Sequence, residues 1–492
     1  MKLNELISKL DYVKLINCEN TDIELTGISY NSKLAKEGDL FVCMKGEHTD
    51  GHKYFNDAVN AGVRAFLCED ELNCSLPQII VKSTEQTIAV PSALLYNYPS
   101  NSLNLIGVTG TNGKTTVTHL IQRIFENYNQ ECAIIGTLGY KLSSKDGYKE
   151  AKHTTPQAPE LQSVLNKIKE NSIKNVAMEV SSHSLSQNRV GECIFSGAVL
   201  TNLTQDHLDY HITMDNYFEA KALLFEKIKD GGFAVINADD KYAQKFIKKV
   251  PENVKIYTYG IEHINSTLQA KDISFSSEGA SFTCVVDNKE IRINLAMNGM
   301  FSIYNVLAAL TVAYVHGFDI EQSAKCISKL HGVAGRFEVI VKEPLVIVDY
   351  AHTPDGLENV LNAARKIKPQ NGKLICLFGC GGDRDATKRP KMGAIAEQIA
   401  DKVILTSDNP RSENPQQIIT DILAGFNSVQ DVTVEEDRGE AIRLLKSISQ
   451  KDDVVVVAGK GHEDYQILAD KTIHFDDREE VRKVFGVLVS AQ

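Results

Sequence analysis

A glycine-rich segment, Gly107-Val-Thr-Gly-Thr-Asn-Gly-Lys-Thr-Thr116, carries the residue types that bind phosphate. It follows the apolar stretch Leu103-Asn-Leu-Ile-Gly-Val108, which is typical of a buried strand, and precedes a helical pattern. Glycines let backbone N–H groups converge on phosphate oxygens, and the helix N-terminus adds partial positive charge. Lys114 can neutralise the terminal phosphates while the Thr115 hydroxyl ligates magnesium. The spacing departs from G-x-x-x-x-G-K-S/T because Val108 stands at the first glycine position, so a glycine-rich turn without a ligand is the alternative.

Two further candidate ligands follow apolar segments that predict strands. Glu179 ends the segment Asn175-Val-Ala-Met-Glu179, which places its carboxylate at the carboxyl end of a strand, where it can meet the magnesium of a nucleotide. His207 lies in Asn202-Leu-Thr-Gln-Asp-His-Leu-Asp-Tyr-His211, a cluster of oxygen and imidazole ligands. The alternative for His207 is a histidine whose hydrogen bonds are satisfied within a polar turn.

Lys221 interrupts an apolar stripe on a helix predicted over residues 215–228. Tyr217, Leu224 and Phe225 occupy the same face at spacings of three and four residues. A long side chain can reach water along such a stripe, and that is the ordinary interpretation. Otherwise the ammonium needs a partner or must lose its charge. Carbamylation by carbon dioxide would convert it into a carboxylate that binds magnesium.

The sequence predicts an α/β protein of three domains that position these residues. Residues 1–98 predict a small N-terminal α/β domain, and residues 99–332 a central P-loop domain with a mostly parallel sheet. Residues 333–492 predict a Rossmann-like, doubly wound C-terminal domain, with strand patterns such as Leu345-Val-Ile-Val-Asp349. The polar clusters fall at the carboxyl ends of strands, where open α/β sheets bind ligands.

Composition argues against several other classes of protein. The 492 residues include 53 Lys and Arg against 64 Asp and Glu, and the net charge of −11 disfavours binding to nucleic acid or an acidic membrane. The ten cysteines are scattered without a C-x-x-C pair, which indicates reduced thiols rather than disulfides or a zinc site. The N-terminus has no signal-peptide core, and no apolar run approaches the roughly 20 residues of a membrane span. We therefore expect a cytoplasmic protein, with a monomer as the default.

Several motifs in fixed order resemble those of the Mur ligase family, the ATP-dependent peptide synthetases of the cytoplasmic stage of bacterial peptidoglycan assembly. The resemblance covers all three predicted domains and implies a role in cell wall biogenesis, cell shape and cell division. The motifs are Gly110-Thr-Asn-Gly-Lys-Thr-Thr116, Thr154-Thr-Pro156, Glu179-Val-Ser-Ser-His183, Asn202-Leu-Thr-Gln-Asp-His-Leu-Asp-Tyr-His211, Gly335-Arg-Phe-Glu338, Asp349-Tyr-Ala-His-Thr-Pro354 and Gly459-Lys-Gly-His-Glu463.

The resemblance implies roles for individual residues at the nucleotide. Magnesium would be held by Thr115, Glu179 and His207, with a carbamylated Lys221 bridging to it, and Lys114 would act with Glu179, His207 and Lys221 in catalysis. ATP would be bound by Gly110, Thr111, Asn112, Gly113, Lys114, Thr115, Thr116, Asn305, Arg336 and Asp349, with Asp349 taking the ribose hydroxyls. One departure from the family pattern is Ser302 in Gly299-Met-Phe-Ser-Ile-Tyr-Asn305, where the family often has an asparagine on the adenine side.

The resemblance also implies the other two substrates. UDP-N-acetylmuramoyl-L-alanyl-D-glutamate would be bound by Ser32, Glu47, His48, Thr49, Thr154, Thr155, Ser181, Gln187 and Arg189, the first four at the uridine diphosphate end. Meso-2,6-diaminopimelate would be bound by Arg384, Asp408, Asn409, Pro410, Arg411, Gly459 and Glu463.

The segment Asp408-Asn-Pro-Arg411 bears on which amino acid is added. By itself it predicts a turn that caps the next helix. In the family, Asp-Asn-Pro-Arg marks members that add meso-diaminopimelate, and lysine-adding relatives lack the arginine. The Arg411 fork can accept the distal carboxylate of diaminopimelate, whereas it would repel the ammonium of lysine. Glu463 would pair with the distal ammonium, and Arg384 with the carboxylate beside the reacting amine.

The implied reaction transfers the γ-phosphoryl group of ATP to the D-glutamate γ-carboxylate, and the amine then attacks the acyl phosphate. The nearest alternatives are the same ligation with L-lysine and glutamate addition by a folylpolyglutamate synthetase. Arg411 disfavours the first, and Thr154-Thr-Pro156 with the N-terminal domain disfavours the second. A hypothesis of a different class is a nucleotide-switched binding protein that forms no amide.

Overall fold

Three successive parts of the chain each build a β-sheet, which is the α/β architecture that the sequence predicts. The computed structural model describes residues 1–46, 49–151, 153–276, 279–328, 330 and 332–487. No helix within these ranges is both long enough and apolar enough to cross a membrane.

The N-terminal sheet is small and mostly parallel. Its strands are β1 (Lys14–Ile16), β2 (Gly27–Ser29), β3 (Asp39–Val42), β4 (Ala65–Cys68) and β5 (Gln78–Ile80), and its helices are α1 (Leu3–Ile7), α2 (Phe55–Asn60), α3 (Thr84–Thr87) and α4 (Ala89–Leu95). The strand order is β1-β5-β4-β3-β2, with only the β1–β5 pair antiparallel among the strands described. Short 3-10 helices lie at Gly51–Tyr54 and Pro99–Ser102.

The central sheet is the largest in the molecule. Its strands are β6 (Asn104–Thr109), β7 (Cys132–Gly136), β8 (Gly139–Lys141), β9 (Asn175–Glu179), β10 (Phe195–Leu200), β11 (Ile228–Asn237), β12 (Lys255–Gly260), β13 (Leu268–Ser276), β14 (Gly279–Val286) and β15 (Lys289–Leu295). Its helices are α5 (Lys114–Asn127), α6 (Ala158–Glu170), α7 (Ser182–Ser186), α8 (Leu208–His211), α9 (Met214–Glu226), α10 (Ala243–Ile247), α11 (Met300–Val315) and α12 (Ile320–Ile327). The strand order is β15-β14-β13-β12-β11-β10-β6-β9-β7-β8, parallel from β13 to β7.

Both faces of the central sheet are covered, which explains its near-continuous apolar strands. Leu105 of β6 joins the buried cluster beneath α6 and α9, whereas its neighbour Ile106 joins the cluster beneath α5 and α11. The helix predicted over 215–228 ends earlier, at Glu226, because Ile228 pairs with Phe195 as the first residue of β11. Sheet pairing thus overrides the helical pattern at this end.

The C-terminal sheet is doubly wound, as predicted. Its strands are β16 (Glu338–Lys342), β17 (Leu345–Asp349), β18 (Leu374–Phe378), β19 (Lys402–Leu405), β20 (Val432–Val434) and β21 (Val454–Ala458), in the order β16-β17-β21-β18-β19-β20, followed by the hairpin β22 (Tyr465–Ile467) and β23 (Thr472–His474). Its helices are α13 (Pro354–Ile367), α14 (Lys388–Ile399), α15 (Pro415–Leu423), α16 (Arg438–Ile448) and α17 (Asp477–Phe485). Proline stands at the first position of α13 and of α15, after the capping residues Thr353 and Asn414.

The arrangement of parallel strands brings the polar segments together. Strands β11, β10, β6 and β9 are neighbours in the central sheet, and β17, β21, β18 and β19 are neighbours in the C-terminal sheet. Because neighbouring parallel strands end at the same edge, the segments that follow them lie side by side.

A buried ion pair supports the carboxyl edge of the C-terminal sheet. Arg438 and Asp477, both 0% exposed, form two hydrogen bonds of 2.7 Å. Arg438 Nη2 also donates to the carbonyl oxygen of Ala458 at 2.9 Å, and Nη1 to that of Ser407 at 3.4 Å. The first residues of α16 and α17 thereby fix the ends of β19 and β21.

We expect Asp477→Ala to destabilise this sheet strongly, because it leaves the Arg438 charge buried without a partner. The cost should be about 3 to 5 kcal/mol. Hydrogen exchange of the β21 amides measures it as a loss of opening free energy. The control is Glu440→Ala, which removes an exposed pair with Arg443 on α16 and should change protection little. Equal protection of β21 in the two variants would contradict the expectation.

Candidate active site

The phosphate loop connects β6 to α5, and its lysine is held by backbone oxygens. Lys114 Nζ donates to the carbonyl oxygens of Gly110 and Thr111, each at 2.8 Å, and its side chain is half-buried. Burial lowers the pKa of Lys114, although the Glu179 carboxylate opposes the shift. No carboxylate in the described part of the chain forms an ion pair with Lys114, so its charge is left for a ligand.

Glu179 lies beside the loop at the carboxyl end of β9, as predicted, and is 1% exposed. Its Oε2 accepts hydrogen bonds from the Thr115 and Thr137 hydroxyls, both at 3.0 Å. Its Oε1 accepts from the Thr137 backbone N–H at 2.9 Å. Sequence reasoning missed Thr137; its one signal is that it directly follows β7, which pairs with β9 in the sheet.

Lys221 lies inside the protein, 1% exposed, and does not extend to water. Its Nζ donates to the Gly110 carbonyl at 2.8 Å and lies 4.5 Å from the centre of the Tyr217 ring. Burial, reinforced by the nearby Lys114, lowers the pKa of Lys221 well below its usual value. The lowered pKa favours the uncharged, nucleophilic form of this amine relative to an exposed lysine.

His207 follows β10 and contacts a buried aspartate. Asp206 Oδ2 lies 3.2 Å from His207 Nε2 and 3.9 Å from Nε2 of His352, a residue that follows β17. Burial lowers the pKa of His207 to about 3, although Asp206 opposes the shift. At neutral pH the imidazole is uncharged, which is the form that binds a metal.

The predicted magnesium ligands near Lys114 do not form a single hydrogen-bonded cluster. Thr115 and Glu179 contact each other and supply the hydroxyl and carboxylate oxygens that magnesium prefers. No hydrogen bond or ion pair joins His207 or Lys221 to either of them among the residues described. Within the same residues, no three His, Cys, Asp or Glu side chains form a metal-binding group by themselves. The oxygen pair fits magnesium, and a phosphate or a carbamate oxygen would be needed to complete its shell.

A cavity of about 290 Å³ opens next to the loop, between the central and C-terminal sheets. Seven of the residues predicted to bind ATP line it; these are Asn112, Gly113, Thr115, Thr116, Asn305, Arg336 and Asp349. The other three, Gly110, Thr111 and Lys114, belong to the same loop but are not among the lining residues. Gly113 adopts a left-handed φ of +87°, and a Cβ atom there would overlap Asn305 Oδ1. Close approach of helix α11 to the loop thus requires glycine at this position.

Two residues of the C-terminal part close the cavity. Arg336 Nη2 donates to the Thr115 hydroxyl at 3.4 Å. The Asp349 carboxylate accepts the backbone N–H groups of Phe337 at 2.6 Å and Ala351 at 2.7 Å. These bonds fix its orientation and leave each oxygen one further lone pair.

Ser302, where the family often has an asparagine, is not among the residues that line the cavity. Its buried hydroxyl donates to the carbonyl of Asn298, which precedes helix α11, at 2.7 Å. Tyr304 lines the cavity instead, and its hydroxyl donates to Asp239 at 2.9 Å. Sequence reasoning missed both Tyr304 and Asp239.

A larger cleft of about 1200 Å³ lies between all three sheets. Ser32 and Thr49 reach it from the N-terminal part, Gln187 and Arg189 from the central part, and Arg384 from the C-terminal part. His207 lines the same cleft, together with His183 and Tyr210, which sequence reasoning did not assign. Glu47 and His48, also predicted here, lie outside the described residues.

The remaining residues predicted for the muramoyl peptide lie against the wall of this cleft. The Thr155 hydroxyl donates to the Glu179 carbonyl at 2.8 Å and accepts from the Ser181 N–H at 3.1 Å. Arg189 Nη1 donates to the Thr155 carbonyl at 3.1 Å. Thr154 lies 3.2 Å from the Thr137 hydroxyl, so it faces the same carboxylate, Glu179.

The two arginines predicted to bind the amino acid lie on adjacent loops after β18 and β19. Arg411 Nη1 donates to the carbonyl oxygens of Gly382 at 2.8 Å and Asn409 at 3.4 Å, and Arg384 Nη1 donates to that of Asp383 at 2.8 Å. Burial and the charge of Arg384 lower the pKa of Arg411. Neither guanidinium forms an ion pair with a carboxylate in the part of the chain described.

The acidic residues of this region surround a buried lysine that sequence reasoning missed. Lys460, 0% exposed, lies 3.0 Å from Asn409 Oδ1, 3.3 Å from Glu463 Oε2 and 3.8 Å from Asp408 Oδ1. Asn409 Nδ2 also donates to Glu463 at 2.9 Å. Burial and the nearby Asp408 carboxylate raise the pKa of Glu463, although Lys460 opposes the shift. Pro410 and Gly459 complete the loops, and a Cβ atom at Gly459 would overlap the Asp408 carboxylate.

Comparison with known proteins agrees with this geometry. Family models match residues 24–98 as the Mur ligase family catalytic domain, 108–313 as the Mur ligase middle domain and 335–461 as the Mur ligase glutamate ligase domain. The chain belongs to the Mur ligase family. This Mur ligase is an enzyme that forms amide bonds at the expense of ATP.

Individual relatives match nearly the whole length of this Mur ligase. The UDP-N-acetylmuramoyl-L-alanyl-D-glutamate–2,6-diaminopimelate ligase of Clostridium botulinum is 41% identical over 98% of this chain and 99% of the relative. The enzyme of the same name from Bacillus cereus is 42% identical over 97% of each chain. A solved structure of a ligase of this name is 34% identical, with a TM-score of 0.68 over 99% of each chain.

We expect Gly113→Ala to weaken nucleotide binding by about tenfold or more, because the new methyl group displaces Asn305 and strains the loop. Calorimetric titration with ADP measures the affinity. The control is Gly147→Ala, since an added Cβ atom there meets no other atom within 4 Å. An unchanged affinity in Gly113→Ala would contradict the close packing of α11 against the phosphate loop.

Proposed function

We propose that this Mur ligase joins meso-2,6-diaminopimelate to the D-glutamate γ-carboxylate of UDP-N-acetylmuramoyl-L-alanyl-D-glutamate, with conversion of ATP to ADP and phosphate. The product is a peptidoglycan precursor. The full-length relatives named for this substrate pair support the proposal. We place the reaction in the cytoplasm, where ten free cysteines persist as thiols. We further propose a monomer whose domains divide near residues 98 and 332, in the connections before β6 and β16.

The observation that carries the amino-acid assignment is the position of Arg411. Its guanidinium bonds only to backbone carbonyls within the described residues, and it lies within electrostatic range of Arg384, Asp408 and Glu463. Diaminopimelate has a carboxylate and an ammonium at its far end, which suit Arg411 and Glu463 respectively. Lysine offers only the ammonium, so it would leave the Arg411 charge without a partner.

ATP fits the cavity between the central and C-terminal sheets. We assign the phosphates to the loop 110–116 and the ribose hydroxyls to the free lone pairs of Asp349, and we place the base near Asn305 and Tyr304. The large cleft would take the UDP-muramoyl dipeptide, with the uridine diphosphate near Ser32 and Thr49. The D-glutamate end would then approach His207 and Arg189.

Thr115 and Glu179 would hold magnesium, together with His207 and a carbamate on Lys221. Magnesium bound there would neutralise charge on the transferring phosphoryl group. The burial of Lys221 supports carbamylation, because a neutral amine can attack carbon dioxide and lose a proton. Within the described residues, the buried Lys221 nitrogen has one hydrogen-bond partner, the Gly110 carbonyl. The new carboxylate would add further interactions at this buried site.

The reaction then follows from positioning and charge. A γ-carboxylate oxygen bonds to the γ-phosphorus as the bond to the β-phosphate oxygen breaks, and Lys114 and Arg336 offset the repulsion between these anions. The free amine of diaminopimelate attacks the acyl carbon, loses a proton, and the tetrahedral intermediate expels phosphate. Arg384 and Arg411 bind the two carboxylates of diaminopimelate and so orient its reacting amine. The attack then takes place within one complex instead of between two free molecules.

We expect wild-type protein with ATP, magnesium and the UDP-muramoyl dipeptide to release phosphate with meso-diaminopimelate and not with L-lysine. Product mass should show one amide bond. Arg411→Ala should lose this preference, because truncating one member of a buried charge pair costs about 2 to 5 kcal/mol. Turnover with lysine alone would contradict the assignment to diaminopimelate.

The same assay also distinguishes a folate ligase and a nucleotide switch from a muramoyl-peptide ligase. Turnover only with a folate and glutamate would indicate a folylpolyglutamate synthetase. ATP hydrolysis that ignores the muramoyl peptide and gives no amide would indicate a nucleotide-switched binding protein. An unchanged preference in Arg411→Ala would remove this residue from recognition.

We expect Lys221→Ala to slow the chemical step on the order of a hundredfold, with partial recovery when a small carboxylic acid is added. The acid would occupy the space of the carbamate. Single-turnover formation of product measures the step. The control is Lys227→Ala, at a position next to the same helix. Lys227 also donates to a backbone carbonyl, that of Gly191 at 2.8 Å. Full activity in Lys221→Ala would reduce the lysine to a packing residue.

A further inference from the structure

We propose that Glu413 is a positioning residue for amino-acid selection, because it fixes the two loops that carry Arg384 and Arg411 relative to each other. This inference rests on the proposed function, in which these arginines bind the two carboxylates of one amino acid. Glu413 forms no hydrogen bond or ion pair with either arginine within the described residues. It acts through Arg389 and Asp383.

Arg389 has a buried guanidinium group that bonds to both loops. Its side chain is 2% exposed, and it donates to three different segments of the C-terminal part. Nη2 donates to Glu413 Oε1 at 2.8 Å and to the Gly381 carbonyl at 3.3 Å, while Nη1 donates to Asp421 Oδ2 at 2.8 Å. A guanidinium is suited to this geometry because its donors are fixed in one plane.

Glu413 connects Arg389 to the loop that carries Arg384. Its Oε1 accepts the Asp383 backbone N–H at 2.5 Å as well as Arg389 Nη2. The Asp383 carboxylate in turn accepts the Ser412 hydroxyl at 2.7 Å and the Ser412 N–H at 3.1 Å. Arg384 follows Asp383 in the chain, and Ser412 follows Arg411, so the bonds cross between the loops next to both arginines.

The two loops also bond directly, in a strained conformation. The Gly382 N–H donates to the Asn409 carbonyl at 2.9 Å, and Arg411 Nη1 donates to the Gly382 carbonyl at 2.8 Å. Arg411 and Asp383 both have left-handed φ values, +52° and +53°. Non-glycine residues keep such a conformation only where their surroundings enforce it. The bonds through Glu413 and Arg389 supply that enforcement.

The consequence concerns a ligand that carries two carboxylates at a fixed separation. Arg384 and Arg411 recognise it only if their guanidinium groups are held at the matching distance. Loss of the Glu413 bond should therefore affect diaminopimelate and leave ATP and the UDP-muramoyl dipeptide unaffected.

A matched pair of variants tests this role. Glu413 and Asp421 each bond to Arg389 at 2.8 Å, and their side chains are 32% and 33% exposed. Asp421 lies on α15 and bonds to neither loop within the described residues, so Asp421→Ala removes an equivalent ion pair without touching the loops. Glu413→Ala removes the oxygen that accepts both the Asp383 N–H and Arg389 Nη2. We expect it to raise KM for diaminopimelate by about tenfold, with KM for ATP and for the dipeptide unchanged. We expect Asp421→Ala to leave all three KM values unchanged, while the two variants lose similar thermal stability.

Four further outcomes bear on the proposal. An equal rise in KM for diaminopimelate in both variants would overturn it by showing that Arg389 acts only through stability, and no rise in either would show that the loops need no such bond. If Glu413→Ala does not fold, Ser412→Ala, which removes only the hydroxyl bond to Asp383, should raise the same KM. If the wild-type protein uses a different amino acid, the proposed function fails, and the same pair of variants measured with that amino acid decides the positioning role.

Discussion

Repulsion between anions is the constraint around which this molecule is arranged. The phosphates of ATP must approach a substrate carboxylate, and a second substrate brings two carboxylates of its own. In the proposed function, the cations that meet these charges are Lys114, Arg336, Arg384 and Arg411, which come from loops of two different sheets. Most of these loops follow the carboxyl end of a parallel strand, so the doubly wound topology assembles the cations without long insertions.

The cations of the molecule divide into two groups by their partners. Lys114, Arg384 and Arg411 donate to backbone carbonyls, which leaves their positive charge available, and the nitrogen of Lys221 also donates to a backbone carbonyl. Arg438, Arg389 and Lys460 are paired with carboxylates and are buried more completely than the first group, apart from Lys221. In the proposed function the first group faces the ligands, whereas the second group holds the loops. Lys221 is the exception that combines full burial with a carbonyl partner, and this is the reason to expect its chemical modification.

Sequence alone predicted the parts of this arrangement that are local in the chain. The phosphate loop, Glu179 and Asp349 each end or directly follow an apolar strand, and parallel pairing fixes where they lie. Thr137, Tyr304 and Lys460 could not be found in this way, because they are ordinary residues whose partners lie between 3 and 65 positions away. For the same reason, sequence alone could not decide whether the Lys221 side chain reaches water. Whether a lysine on an apolar stripe reaches water depends on what packs against its helix, here the turn at Gly110.

The central and C-terminal parts of the chain are coupled because residues of both line the nucleotide cavity. The side chain of Asn112 in the phosphate loop donates to Asp355 at the start of α13 at 2.8 Å, and Arg336 reaches Thr115 from the same side. Further along, Lys391 of α14 donates to Gln205 at 2.6 Å. The cavity is therefore complete only when the C-terminal sheet lies against the central one. The loops that carry Arg384 and Arg411 belong to that same sheet. In the proposed function, binding of nucleotide and placement of the attacking amine therefore depend on one arrangement of domains.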